Sequence, residues 1–147
     1  MPFTLSCKHE YALCALIELA TAYASGQPLQ SRQLAQRQHI PDRYLEQLLA
    51  TLKRGGLIRS QRGVNGGYLL AHEPASISVL DVICCIDGKT TDDFQEAQPS
   101  STAECTVIQE VWVEARQTIE VILAKYSLKD LAEMRDVRQN TNVMYYI

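Results

Sequence analysis

The chain lacks an apolar run approaching the length that a bilayer demands, and its start lacks a basic segment followed by an apolar core. Those absences point away from a membrane span or an export signal and toward the cytoplasm. Histidine is scarce: His9, His39 and His72 are the only three, and none stands beside a nucleophile motif. A phosphate-binding loop and metal-hydrolase spacing are missing too, so an enzyme is a poor reading. The five cysteines (Cys7, Cys14, Cys84, Cys85 and Cys105) are odd in number and irregular in spacing. This excludes a secreted disulfide framework and leaves buried thiols, redox sensors or metal ligands. No internal repeat is visible.

What is present is ample core material. With 147 residues and 46% hydrophobic side chains, the chain suits one compact unit, or a small domain with an appended helix. The net charge of −3 hides an asymmetry: up to His72 there are eight basic residues against four acidic ones, and the rear half is acidic. Arg43, Lys53, Arg54, Arg59 and Arg62 form the densest basic stretch, the composition that phosphate contact requires.

Within that stretch the pattern is specific. Pro41 suits the first turn of a helix, and Leu45, Leu48, Leu49 and Leu52 give that helix one apolar face. Gly55 and Gly56 stop it. Arg43, Tyr44, Glu46, Gln47, Lys53 and Arg54 are left on the outside. Upstream, a helix over 5–24 is broken by Gly26-Gln27-Pro28, and Ser31 is the expected cap of a short helix over 31–38. That spacing is a helix-turn-helix. Strands over 57–61 and 68–71 follow, joined by the glycine-rich R-G-V-N-G-G, whose Gly63 and Gly66 allow close backbone approach to a phosphate.

Downstream, Ser78 starts an apolar helix over 77–86, and the polar stretch 89–103 reads as a loop. In the long helix over 104–126, Ile108, Trp112, Ala115, Ile119, Ile122 and Tyr126 recur at heptad steps. Val107, Val111, Val121 and Leu123 widen the stripe, which favours a dimer seam over packing on its own domain. Ser127 caps a short last helix over 128–135, and 142–147 forms an apolar end without an assignment. The expected organisation is a DNA-binding domain over 1–76, a linking helix and sensor-type loop over 77–103, the dimerisation and short C-terminal helices over 104–136, and a tail over 137–147. The fold class is mostly α with a small β-hairpin: a winged helix-turn-helix domain plus a long dimerisation helix.

The motifs Y-L-E-Q-L, K-R-G-G-L-I and R-G-x-x-G-G-Y, with K-H-E-Y-A-L-C-A-L-I-E-L-A at the start and I-S-V-L-D-V-I before the loop, resemble the Rrf-two family of winged-helix transcription regulators. The likeness runs roughly over residues 5–126. That family includes iron–sulfur, nitric-oxide and cysteine-metabolism regulators. It implies a homodimer on a pseudo-palindromic duplex, with Arg43, Tyr44, Glu46 and Gln47 reading bases or positioning the backbone. Gln47 suits adenine, Glu46 cytosine, and Arg43 guanine or a phosphate. Arg62 on the wing suits a narrow minor groove, while Ser31 and Arg32 suit a phosphate at a helix start. The wing tip departs from many relatives at Val64-Asn65. The alternative is a winged-helix module without a cluster that binds other proteins through its long helix.

The resemblance also raises a [2Fe–2S] cluster. Cluster-binding members carry three cysteines in the mid-chain loop; here that loop holds none, and Cys105 matches only the last of them. Some relatives add an acidic residue from the partner's first helix, a position that Glu10 matches. Glu10 and Cys14 of one subunit with Cys105 and a second cysteine of the other would reach the four ligands a cluster needs. Cys105, at the start of the long helix, is also the candidate redox switch.

Overall fold

The computed structural model describes residues 5–88 and 102–145. In chain order these form α1 (Cys7–Tyr23), α2 (Ser31–Gln38), α3 (Asp42–Arg54), β1 (Ile58–Gln61), β2 (Gly67–Leu70), a 3-10 turn (Pro74–Ser76), α4 (Val79–Asp87), α5 (Ala103–Lys125) and α6 (Leu128–Tyr145). The winged helix-turn-helix expected from the sequence is present, and the polar stretch 89–101, with its sensor-type loop assignment, lies outside the described residues.

Ser6 starts α1 by accepting a hydrogen bond from the His9 amide (3.3 Å). Ala12, Leu13, Ala15, Leu16 and Leu19 on α1 pack with Leu34 and Ala35 of α2, all four leucines of α3, and Ile58 and Leu70 of the hairpin. Truncating one such leucine to alanine costs about 2–5 kcal/mol, because the cavity left behind closes only partly. β1 and β2 pair antiparallel from Ile58–Leu70 to Gln61–Gly67. A third short segment joins them: the Tyr68 amide donates to the Leu29 carbonyl (2.8 Å), and the Leu29 amide to the Tyr68 carbonyl (3.0 Å).

That pairing explains one correction. Ser31 is not the cap of α2. Leu29 is committed to extended pairing with Tyr68, so the helix begins only after Gln30, whose amide is held by Gln33 Oε1 (3.1 Å). Pro41 likewise stands just before α3, with an extended ψ of 133°, rather than in its first turn.

The rear of the chain returns to the front. Ser78 and Ser127 pair across a short antiparallel crossing, where the Val79 amide donates to the Tyr126 carbonyl and the Leu128 amide to the Ile77 carbonyl, both at 2.9 Å. Each serine also opens a helix through the same reciprocal device, Ser78 with Asp81 and Ser127 with Asp130. Leu128 beyond the crossing is fully buried in the main core. Further along α6, Arg135 Nη2 donates to Thr21 Oγ1 of α1 (2.8 Å). The short helix expected over 128–135 is therefore an 18-residue helix ending at Tyr145, and most of the supposed tail 137–147 is helical. No proline or glycine interrupts that stretch, and packing on α1 outweighs its modest helix propensity.

α5 differs from every other long element. Its 23 residues span about 34 Å, against about 13 Å for the nine of α4 that run back from the same crossing. Its leading half therefore reaches about 20 Å past α4 as an arm. None of its residues is buried.

Candidate nucleic-acid interface

α2 and α3 meet at a tight corner. His39 takes the left-handed conformation (φ 54°), which ends α2 and lets the Ile40 amide donate to the Ala35 carbonyl (3.0 Å). With Ile40 buried behind the corner, α3 presents its polar side outward. Arg43, Glu46, Gln47, Lys53 and Arg54 are all exposed, as the helical spacing predicts. Tyr44 is different. It is half-buried, with its ring set edge-on against Tyr11 of α1 at 5.6 Å between centroids and 80° between planes. Such a pair adds about 0.5–1.5 kcal/mol beyond area burial, so Tyr44 first of all fixes α3 on α1.

Among the described residues the ion pairs are His9–Asp87, Glu18–Arg37, Arg116–Glu120 and Arg135–Asp136. Arg32, Arg43, Lys53, Arg54, Arg59 and Arg62 enter none of them. These six cations, drawn from α2, α3 and the wing, are thus left without a carboxylate partner among the described residues, which suits a polyanion.

The wing folds over a tight turn in which the Gly66 amide donates to the Gly63 carbonyl (3.0 Å). Val64, at the turn, is 94% exposed. Gly66 itself is buried: a Cβ there would fall 2.3 Å from the Gln61 carbonyl oxygen, so Gly66 shapes the turn instead of meeting a ligand. Arg62 stands at the end of β1, and it lines an open polar recess together with Gln30, Ser31, Arg32, Gln61 and Gly63. The sequence reading missed Leu29 and Gly67, which build this recess. A Cβ on Gly67 would meet the Leu29 carbonyl oxygen at 2.5 Å, so only glycine lets the two segments pair. The signal was available as the second glycine of the Gly66-Gly67 pair, but its partner is distant in sequence.

The candidate metal ligands stand apart within one chain. Glu10 and Cys14 lie on α1 and Cys105 on the far end of α5, and among the described residues no three His, Cys, Asp or Glu side chains come together to hold a metal. Burial pushes the Cys14 thiol up from its ordinary value, and the Glu10 and Glu18 carboxylates push it further. Burial also raises Cys84 and Cys85, and the Cys85 thiol is engaged on the Thr51 carbonyl (3.7 Å). Cys7 and Cys105 are the exposed thiols.

On the arm, Ile108, Trp112 and Ile122 of the expected seam are exposed together with Val107, Val111 and Val121, while Ala115 and Ile119 are half-covered. None of the described helices is long and apolar enough to cross a membrane.

Known proteins share this architecture. Residues 5–134 match the family model Rrf2, described as an iron-dependent transcriptional regulator. The HTH-type transcriptional regulator CymR of Bacillus subtilis is 32% identical over 96% of this chain and 98% of its own length. The solved structure of that protein, described as the global cysteine regulator of B. subtilis, superposes with a TM-score of 0.77 at 31% identity, covering 90% of this chain and 98% of the other. IscR of T. potens gives the same TM-score of 0.77 at 32% identity, covering 95% of this chain and 93% of the other.

Proposed function

The chain belongs to the Rrf2 family of DNA-binding transcriptional regulators, and from that premise we propose that it works as a two-fold dimer on a pseudo-palindromic operator in the cytoplasm. α3 enters the major groove in each half-site, where Arg43, Glu46 and Gln47 meet base edges. Lys53 and Arg54 follow the backbone from the other end of α3, and the wing lies on the adjacent minor groove and its bordering phosphates. The observation that carries this reading is the exposed row on α3, whose Arg43, Lys53 and Arg54, like Arg32, Arg59 and Arg62 on neighbouring elements, pair with no carboxylate among the described residues. The relatives are named as regulators, which agrees with binding rather than catalysis as the task.

The reading of a second copy is supported by α5. A 23-residue helix with no fully buried residue, which carries Val107, Ile108, Val111, Trp112, Val121 and Ile122 exposed, needs another surface, and a two-fold partner offers the same stripe in return. Cys105 near its start is exposed, so oxidation there is the proposed route by which a redox signal alters the dimer. Cys105→Ser that binds DNA equally before and after oxidant treatment, as the parent also does, would exclude that route.

The test of the main reading is selection from a random duplex pool, followed by gel shift against unselected competitor at several salt concentrations. Selection of a duplex with two related half-sites is expected, its affinity falling steeply with salt. A protein that prefers no duplex over random competitor is not a sequence-specific regulator.

A further inference from the structure

We propose that Arg32 and Arg62 close on one and the same backbone phosphate in each half-site, and that Gly67 sets the gap between them. This rests on the DNA-reading function above. Arg32 lies in the first turn of α2 and Arg62 at the end of β1, yet both line one open polar recess. The recess is held in shape by the two backbone hydrogen bonds between Leu29 and Tyr68, at 2.8 and 3.0 Å. Gly67 lies against the same pairing, with no room for a Cβ beside the Leu29 carbonyl. Neither guanidinium meets a carboxylate among the described residues.

Two arginines that line one recess, neither paired with a carboxylate among the described residues, leave its positive charge to be balanced by an anion. A phosphodiester offers two non-bridging oxygens, one for each arginine, whereas a base edge carries no charge to balance the pair. Insertion of Arg62 into the minor groove suits the position less well. The side chain at the turn of the wing is Val64, 94% exposed, while Arg62 stands below it at the strand end beside Arg32. Free phosphate shares the same chemistry; the duplex backbone is the source favoured by the exposed α3 row next to the recess.

The experiment uses the full chain and a duplex selected as above, with each backbone phosphate replaced in turn by an uncharged methylphosphonate. In the parent, neutralising one phosphate per half-site should weaken binding by roughly tenfold. In Arg32→Gln and in Arg62→Gln the penalty at that same phosphate should shrink, and in the double variant it should vanish. The double variant should flatten the salt dependence by about one unit per half-site, not two, since only one phosphate is released. Gly67→Ala, which keeps both arginines, should lose the same phosphate signature; should it fail to fold, the two arginine maps decide alone. Separate phosphates for Arg32 and Arg62 would overturn the proposal, as would an Arg62 effect that follows the A·T content of the minor groove. Saturable binding of inorganic phosphate that competes with the duplex would assign the recess to a free anion and overturn it as well. A parent that selects no duplex removes the DNA reading itself, and this proposal with it.

Discussion

α3 and α5 are both amphipathic helices, yet α3 buries all four of its leucines whereas α5 buries no residue at all. The difference lies in what surrounds them. α3 sits between α1, α4 and β1, so its apolar side is satisfied within the chain and its polar side is free to do something else. α5 packs on α4, and much of its apolar side is exposed. One helix is finished by its own chain and the other leaves much of its apolar stripe uncovered within it, so folding and the proposed assembly draw on different surfaces.

The strongest way to break that separation is on the arm. Ile108→Glu combined with Ile122→Glu would place like charges across a two-fold seam, costing on the order of 5 kcal/mol of association. Sedimentation should show a monomer, with the melting transition of the front domain retained; an undiminished dimer would place the interface elsewhere. Next in size is Leu128→Ala, expected to destabilise the front domain by about 2–5 kcal/mol in denaturant unfolding, although the residue lies far downstream in sequence. A change within about 0.5 kcal/mol would mean that α6 is not part of that core. Gln47→Ala touches only the finished helix's outer side and should cost about 1–3 kcal/mol of discrimination at one base position per half-site. An unchanged base-substitution profile would remove Gln47 from the readout.

The smallest effect concerns the Ser127–Asp130 pair. The Ser127 backbone amide, and then its hydroxyl, hold the Asp130 carboxyl below the ordinary carboxylate value. A depressed folded value means that the contribution is present above the ordinary carboxylate range and is lost as pH falls through the folded value. Asp130→Asn should therefore make the melting temperature slightly less sensitive to acid, and an acid limb identical to the parent's would show that this cap carries no part of it.

Much of the front was legible because its signals are local. The leucine spacing of α3, the Gly56 stop and the Ser-x-x-Asp start of α4 each act within a few residues, and the structure has them all. The apolar stripe of α5 was equally visible, since exposure does not disturb periodicity. What escaped depends on contacts distant in sequence. Ser31 looked like a cap until Leu29 was seen paired with Tyr68, and Gly67 looked like one more flexible wing residue until the Leu29 carbonyl was found against it. The length of α6 escaped for the same reason, because its support comes from α1 at the opposite end of the chain. Tyr44 shows the converse: its place on α3 was right, but Tyr11 has claimed its ring.

The crossing of 77–79 with 126–128 has a consequence for how the molecule comes into being. A ribosome delivers the chain from its first residue onward, and the helices that face DNA emerge early. Leu128, the plug of their core, emerges only with the last helix, and the crossing that seats it closes at the same moment. Until then the nascent reading head has a hole where a leucine belongs.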